Sequence, residues 1–219
     1  MLEEPETAAD DPLPGRRPTS HERMSGRPWD ASYSDGLAPW NIGRPQPAFA
    51  RLAATGQLAG PVLDCGCGTG ENTLLVASLS LPVLGVDVAQ TALAIARRKS
   101  IQRGIEAEFA AADALHLQRL KRTFQTVLDS GLFHTFDSTE QPQYVASLAS
   151  VTDPGASLYV LCFSDDGPDT GPHPVSRQTL TAAFNSASGW NIAAIMADRI
   201  HTRFHPGGAP AWFASIKRI

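Results

Sequence analysis

The chain has 219 residues, of which 42% are hydrophobic, and a formal net charge of −4. This length suits one domain with a substantial core, and the acidic balance argues against a surface that binds nucleic acid. No apolar stretch is long enough to cross a bilayer, and the first 28 residues are acidic and proline-rich instead of basic and then apolar. We therefore expect a cytoplasmic protein with no membrane segment and no nucleic-acid partner.

The N-terminal part of the chain divides into two segments of different character. Residues 1–27 contain acids, prolines and arginines but almost no large apolar side chains. Such a composition cannot offset the entropy lost on ordering, so we predict a disordered, dispensable tail over residues 1–27. From Trp29 onward, aromatic residues precede a short helical pattern that ends at Gly60. We predict that residues 28–60 form an N-terminal lid and helix of a single domain that spans residues 28–219.

Short apolar runs then alternate with longer helical stretches. The runs PVLDC, PVLGVD and FQTVLDS suit buried parallel strands, with helices predicted between them at 71–80 and 89–103. Further predicted elements are a strand at 107–111, a helix at 140–150, a strand at 157–163, a surface loop at 164–174, a helix at 176–186, and strands at 190–197 and 211–217. This alternation predicts an α/β fold: a Rossmann-like, seven-stranded, mostly parallel sheet with helices on both faces.

The strongest motif is VLDCGCGTGE, in which a predicted strand ends at Asp64 and leads through Gly66, Gly68 and Gly70 into a helix. Glycines allow a tight turn and let a ligand approach the unpaired N–H groups of a helix start. The spacing is G-x-G-x-G, and Glu71 stands where a dinucleotide-binding loop has its third glycine. An acid at Asp64 would repel a pyrophosphate but suits a ligand with an ammonium and a sulfonium centre. A purely structural glycine turn is the alternative.

Acids also follow the later strands. Asp87 lies where a doubly wound domain presents a carboxylate to ribose hydroxyls, with a helix N-cap as the alternative. Asp113, next to Ala114, is placed to accept the adenine amino proton, and helix capping is equally open. Asp129, next to Ser130, ends the fourth strand, where a surface carboxylate is the alternative. Four acids at one sheet edge predict a binding site.

In order and spacing, these segments resemble class I S-adenosylmethionine-dependent methyltransferases over residues 61–219. The resemblance implies an enzyme with S-adenosylmethionine as its cofactor, and it says little about the acceptor, because this family methylates oxygen, nitrogen, sulfur and carbon. We predict no metal, since His173, His201 and His205 fit no metal-ligand spacing with a cysteine or an acid. The implied cofactor-binding residues in this part of the chain are Asp64, Gly66, Gly68, Gly70, Asp87, Asp113, Ala114, Asp129 and Ser130.

The segment before the first strand narrows the resemblance. Trp29, Tyr33 and Trp40, followed by Gly43 and Pro45, form the pattern W-x3-Y-x6-W-x2-G-x-P. It looks like the segment of the thiopurine, thiol and halide methyltransferase group that covers the bound cofactor. By that resemblance, Trp29 and Trp40 pack against the cofactor's methionine portion, and Tyr33 lies on the acceptor side. The alternative is that these aromatic residues only pin the N-terminus to the core.

The segments DSGLFHTF and LYVLCFSD share the local look of small-molecule members that methylate heteroaromatic hydroxyls. The resemblance places Phe133 and His134 at the acceptor, with His134 as a candidate general base. The alternative for His134 is a core or helix-terminal histidine bonded to backbone. Because Trp29, Trp40, Phe133 and Phe136 would border the pocket, we expect a small, apolar, aromatic acceptor that is methylated on a hydroxyl, thiol or nitrogen.

Three other functions are alternatives to this one. A nicotinamide-dependent reductase would share the sheet but needs the other glycine spacing. A nucleic-acid methyltransferase would use the same cofactor, but DSGLF stands where its Asn/Asp-Pro-Pro-aromatic motif is expected. A non-catalytic regulatory protein that binds S-adenosylmethionine is open on sequence alone, and so is the choice between a monomer and a homodimer.

Overall fold

The structure is a computed structural model that describes residue 13 and residues 15–36, 38–167 and 173–219. Its strands form one seven-stranded sheet in the order β3-β2-β1-β4-β5-β7-β6. The strands are β1 (Val62–Cys65), β2 (Val83–Asp87), β3 (Glu108–Ala111), β4 (Phe124–Ser130), β5 (Thr152–Phe163), β6 (Trp190–Ile200) and β7 (Ala209–Arg218). Neighbours from β3 to β5 pair in parallel, and β7 is antiparallel to both β5 and β6. The predicted Rossmann-like, mostly parallel sheet is confirmed.

Among the described residues, three helices precede β1, and four lie between strands at the predicted places. They are α1 (Ser20–Ser25), α2 (Ala31–Ser34), α3 (Pro47–Ala54), α4 (Glu71–Ser78), α5 (Gln90–Arg103), α6 (Glu140–Ala149) and α7 (Arg177–Ala183), with short 3-10 turns at Ala114–Leu120, Phe133–Thr135 and Ser186–Ser188. The helix predicted at 176–186 ends early because the Asn185 side chain accepts hydrogen bonds from the backbone N–H groups of Ala187 and Ser188. Asn185 is therefore the N-cap of the separate 3-10 turn at Ser186–Ser188.

The strand order leaves a crevice at the middle of the sheet. The chain runs outward from β1 through β2 to β3, and then returns to the other side of β1 with β4 and β5. Connections that leave a sheet in opposite directions at such a switch point open a crevice beyond the carboxyl ends of the strands. In β1, Asp64 pairs with Gly85 of β2 and Leu128 of β4. The ends of these three strands therefore meet beside the glycine loop.

Apolar side chains cover both faces of the sheet. Along β4, Val127 and Leu128 belong to different apolar clusters, as do Leu158 and Tyr159 along β5. This alternation follows from the two-residue period of a strand, and it is why the sheet needs packing on both sides. The core thus holds the strand ends rigidly under the crevice.

The prediction of a disordered tail is wrong for the part of that segment that the structure describes. Helix α1 lies against α6, where the buried carboxylate of Glu140 accepts hydrogen bonds from Ser20 N at 2.8 Å and Ser20 Oγ at 2.6 Å. Arg16 donates two hydrogen bonds to the buried Glu22, at 2.7 and 2.6 Å. Polar anchoring orders this segment, and a count of apolar residues does not detect it. The rest of the predicted tail, residues 1–12 and 14, lies outside the described residues, as do residues 168–172 of the predicted loop.

Candidate active site

A cavity of about 460 Å³ lies at the carboxyl ends of the central strands. This volume is in the range of small-molecule sites. Its walls come from the N-terminal segment, the glycine loop, the ends of β2 and β4, and the loop after β6. The sequence-predicted residues that line it are Trp29, Tyr33, Trp40, Gly66, Gly68, Asp87, Asp113, Ala114, Ser130 and His134.

The glycine loop presents backbone to this cavity. Gly66 and Gly68 have φ angles of 72° and 52°, in the left-handed region that favours glycine. A Cβ atom on Gly68 would lie 3.0 Å from the hydroxyl of Tyr33, so a side chain there would displace the N-terminal segment. The loop is also tied to the next strand, because Gly68 N donates a 2.8 Å hydrogen bond to Asp87 Oδ2. At these two positions a ligand in the cavity can therefore come close to the backbone of the loop.

Gly70 has a different task from the one predicted. A Cβ atom there would lie 2.8 Å from Ala96 Cβ and 2.9 Å from the ring of Phe109. These contacts belong to α5 and β3, so glycine at this position allows α4 to begin close against them. The structure does not support a direct cofactor contact for Gly70.

Asp87 borders the cavity and is held in a fixed orientation. Its Oδ1 accepts a hydrogen bond from Ala89 N at 2.9 Å, and its Oδ2 accepts the one from Gly68 N. Burial raises the pKa of this carboxyl. Asp87 is not the N-cap of α5, which is Ala89, so the capping alternative is wrong. Its carboxylate retains lone pairs for further hydroxyl donors, as the ribose interpretation requires.

Asp64 and Asp129 lie behind the cavity wall and outside its described lining. Asp64 is fully buried, and it accepts one hydrogen bond from Thr73 Oγ1 at 2.6 Å. Asp129 accepts hydrogen bonds from Leu132 N at 2.8 Å and from Tyr144 Oη at 2.9 Å. Burial raises the pKa of Asp64 to about 7 and that of Asp129 to about 6. The structure does not support direct cofactor contact for either carboxylate, because neither borders the cavity. Asp129 is turned to donors within the protein, whereas Asp64 Oδ1 is buried without a hydrogen-bond partner among the described residues.

Asp113 combines a cavity position with capping. Its Oδ1 accepts a hydrogen bond from Leu115 N at 3.0 Å, and its Oδ2 lies 2.9 Å from His116 Nδ1. The side chain therefore caps the 3-10 turn that begins at Ala114. Asp113 and Ala114 both border the cavity beside Ala112.

Aromatic rings of the N-terminal segment form one wall. Trp40 donates a 2.8 Å hydrogen bond from Nε1 to Tyr33 Oη, and its ring meets Trp29 edge-on at a centroid distance of 5.6 Å. Trp40 is 37% exposed, so it is not a buried anchor. Helix α2 is docked on α5, because Thr91 N and Thr91 Oγ1 both donate hydrogen bonds to Asp30, at 2.7 and 2.8 Å. The wall therefore rests on polar contacts with the body of the domain.

His134 lies at the other side of the cavity, buried and with its ring 4.8 Å from that of Phe163. Its Nδ1 has no hydrogen-bond partner among the described residues, which disagrees with the alternative of a histidine bonded to backbone. Burial, with smaller contributions from His173 and His21, lowers the pKa of His134 to about 3. The imidazole is therefore neutral at physiological pH, and it is a weak proton acceptor.

The structure does not support the prediction that Phe133 contacts the acceptor. Its ring is fully buried in the core and packs on Phe184 at a centroid distance of 5.4 Å. The 3-10 turn that contains both residues directs His134 to the cavity and Phe133 to the core. Phe136, the other predicted border residue, does line the cavity.

Sequence reasoning assigned no site role to several cavity residues that carry ionisable side chains, among them His21, Arg44 and His173. His21 lies in the segment predicted to be disordered, and His173 was considered only as a metal ligand. Arg44 lies inside the motif PWNIGRPQP but carried no assignment of its own. Only that motif offered a local signal, because the two histidines reach the cavity through tertiary contacts.

The described residues hold neither a metal-ligand cluster nor a membrane-spanning helix. No cluster of three His, Cys, Asp or Glu side chains there is arranged to hold a metal ion. Among the helices in those ranges, none has both the length and the apolar character that a membrane crossing requires.

Comparisons with known proteins match the chain to a methyltransferase domain and to named methyltransferases. Residues 62–155 match the family described as a methyltransferase domain. The 2-heptyl-1-hydroxyquinolin-4(1H)-one methyltransferase of Mycobacteroides abscessus is 34% identical over 178 residues, which are 78% of each chain. The probable thiol methyltransferase 2 of Arabidopsis thaliana is 30% identical over 154 residues, 69% of this chain and 67% of the relative. A solved structure described as "Conversion of a Disulfide Bond into a Thioacetal Group during Echinomycin Biosynthesis" superposes with a TM-score of 0.78 at 34% identity, over 87% of this chain and 91% of the other.

Proposed function

The chain belongs to the class I S-adenosylmethionine-dependent methyltransferases, and from this premise we propose that it methylates a hydroxyl, thiol or nitrogen of a small heteroaromatic acceptor. One observation carries the proposal. A single cavity joins the glycine loop and Asp87 to a wall of aromatic and imidazole rings. A cofactor end and an acceptor end in one enclosed space are what an in-line methyl transfer requires, because the two reactants must be aligned in near contact.

The donors and acceptors at one end fit S-adenosylmethionine. When bound, this cofactor supplies an electrophilic methyl group on a sulfonium. Asp87 is positioned to accept hydrogen bonds from the ribose hydroxyls, and Asp113 with Ala114 borders space suited to adenine. Gly66 and Gly68 let the backbone approach the methionine portion, and Arg44, which also borders the cavity, offers a cation for the carboxylate.

The other end suits a flat apolar acceptor. Trp29, Trp40, Phe136 and Phe163 border the cavity with their rings. Tyr33 joins this aromatic wall to the glycine loop, because its hydroxyl accepts a hydrogen bond from Trp40 and lies against Gly68. Aromatic walls of this kind bind planar rings by stacking and exclude water from the reaction. The relatives support this class of acceptor, since one is named for a hydroxyquinolinone and another for a thiol.

His134 acts at the acceptor as a hydrogen-bonding group and not as a general base. A base with a pKa of about 3 binds a proton weakly, so it cannot hold the proton of an ordinary alcohol at neutral pH. The acceptors that suit this site are therefore acidic heteroaromatic hydroxyls, thiols and ring nitrogens, which lose a proton readily or have none to lose. For these, alignment supplies most of the rate enhancement.

The same reasoning extends the proposal to partners and location. We propose that the protein works in the cytoplasm, as a monomer or a homodimer, on free small molecules and not on nucleic acid. The net charge of −4 supports this choice of acceptor, because a nucleic-acid surface needs an excess of cations.

Mass spectrometry tests the proposal directly. The protein is incubated with methyl-labelled S-adenosylmethionine and a panel of hydroxyquinolines, thiophenols and hydroxypyridines, and each acceptor is examined for the labelled methyl group. The expected result is transfer to at least one heteroaromatic acceptor, with much slower transfer by the Asp87→Ala variant. Binding of S-adenosylhomocysteine without methylation of any panel member would contradict the acceptor class.

A further inference from the structure

We propose that His21 of helix α1 selects the acceptor, by a hydrogen bond to the ring heteroatom of a heteroaromatic substrate. The inference rests on the proposed function and specifies how its acceptor end recognises a ligand. It assigns a role in the site to a segment whose composition resembles that of a disordered tail.

The position of His21 is the first argument. The residue lines the cavity, and its ring stacks on Trp29 at a centroid distance of 4.4 Å and an interplanar angle of 10°. Its other ring neighbour is His173, at 5.7 Å and edge-on. A planar acceptor that packs in this aromatic wall would therefore meet an imidazole edge within the wall.

His21 carries a ring nitrogen without a hydrogen-bond partner in the ranges that the structure describes. Nδ1 of His21 is buried, and it lacks a hydrogen-bond partner within the described part of the chain. Nδ1 of His134, across the same cavity, is in the same state. A buried polar atom without a partner is unfavourable, so a flip of the His21 ring by about 180°, which keeps its stack on Trp29, is favoured when it brings this nitrogen to a ligand that supplies the missing bond. Sites of this kind reject the analogue that lacks the bonding atom.

The third argument is that both neighbours of His21 are anchored. Ser20 is bonded to Glu140 of α6, as described above. On the other side, Glu22 accepts hydrogen bonds from Thr19 N at 2.8 Å and from Trp29 N at 3.1 Å. The imidazole and the indole below it are thereby held in one arrangement, which gives a hydrogen bond its directional selectivity.

The charge state of His21 also suits a bond to a heteroaromatic ring. Burial, and next the neighbouring His173, lowers the pKa of His21. A neutral imidazole donates at one nitrogen and accepts at the other, so it complements either a pyridine-type nitrogen or an N–H group. It also places no positive charge beside the acceptor end, where a cation would repel the sulfonium.

The test pairs acceptors that differ only in the ring heteroatom: 3-hydroxyquinoline with 2-naphthol, and 8-hydroxyquinoline with 1-naphthol. Their binding to the full-length protein saturated with S-adenosylhomocysteine is measured by calorimetry, so the readout does not depend on turnover. We expect the unmodified protein to bind the quinoline of at least one pair about tenfold more tightly, the ratio that corresponds to one hydrogen bond. Equal binding within both pairs, or no binding of any of the four, would overturn the inference.

Two variants and a control isolate the histidine. His21→Phe keeps a ring on Trp29 but removes both nitrogens, and His21→Gln keeps a donor and an acceptor; Ser25→Ala lies on the same helix outside the cavity lining. His21→Phe should abolish the quinoline preference and leave naphthol and S-adenosylhomocysteine affinities unchanged, while His21→Gln restores part of the preference. A preference that persists in His21→Phe, or a loss of affinity for quinoline and naphthol alike, would show that His21 is structural. Labelled methyl transfer, measured in parallel, separates this failure from failure of the proposed function.

Discussion

The docking of α1 on Glu140 yields the sharpest prediction about stability. The change is Glu140→Gln, which keeps the shape of the side chain and removes its charge. In the structure the carboxylate accepts hydrogen bonds from Ser20 N, Ser20 Oγ and Arg23 Nη1 at 2.8, 2.6 and 3.1 Å. Glutamine retains one acceptor oxygen, but its amide NH2 group is a donor and would face the donor groups of Ser20 and Arg23. The interaction of α1 with α6 is therefore weakened at its centre.

The magnitude follows from the number and burial of these bonds. Each hydrogen bond to a charged group contributes about 1.5–3 kcal/mol. The carbonyl oxygen of glutamine can still accept some of the hydrogen bonds that the carboxylate of Glu140 accepts. We expect α1 to lose about 2–3 kcal/mol of docking free energy. The ion pair with Arg23 adds little, because the Arg23 side chain is 52% exposed and surface pairs are weak. Arg23→Gln is thus the matched control, with an expected loss below about 1 kcal/mol.

Hydrogen exchange is the suitable assay, because α1 is joined to the domain by a few polar groups and can open locally. Glu140→Gln should speed exchange of the amides between Thr19 and Trp29 by about 30-fold or more, the ratio that corresponds to 2 kcal/mol. Exchange within β4 and β5 should not change. Equal protection of residues 19–29 in the variant and the unmodified protein would refute the anchoring argument.

Four further predictions concern the site and its acids. A chain that begins at Gly26 should lose acceptor binding and most turnover, measured by labelled methyl transfer, because it lacks His21 and Glu22; full activity would show that α1 is dispensable. Asp87→Ala should weaken S-adenosylhomocysteine binding by about 1–3 kcal/mol in calorimetry, and unchanged affinity would leave Asp87 only its backbone bonds. Trp40→Ala should lower turnover but leave the melting temperature nearly unchanged, because this ring is 37% exposed; a loss near the roughly 3–5 kcal/mol of a buried aromatic residue would indicate a core anchor instead. Burial raises the pKa of Asp64 to about 7 from an ordinary 3.8. Between these two pH values the folded protein keeps a proton on Asp64 that the unfolded chain has lost. The free energy of unfolding should therefore fall as pH rises through this range. Denaturant titrations of the unliganded protein at several pH values should show a flatter decline for Asp64→Asn, and an identical slope would contradict the assignment.

Local sequence patterns predicted the strand, turn and helix that form the glycine-loop side of the cavity. Glycines after β1 and an acid after β2 are consequences of a strand, a tight turn and a helix in succession, and all three are encoded within a few residues. The same patterns could not tell which acids border the cavity. Asp87 borders it, whereas Asp64 and Asp129 are turned to Thr73 and Tyr144. That choice depends on which donors the fold brings to each carboxylate.

The sequence by itself determined the fold class and the family of the enzyme, because both follow from periodicity and from motifs that are contiguous in the chain. Only the tertiary structure decided which distant side chains share the cavity. His21, His134 and His173 are far apart in sequence and line one cavity, and the ordering of α1 rests on the bonds between Ser20 and Glu140 across 120 positions. The physical reason is that a backbone conformation is a local property, whereas the partner of a buried polar group is supplied by whichever distant segment packs against it.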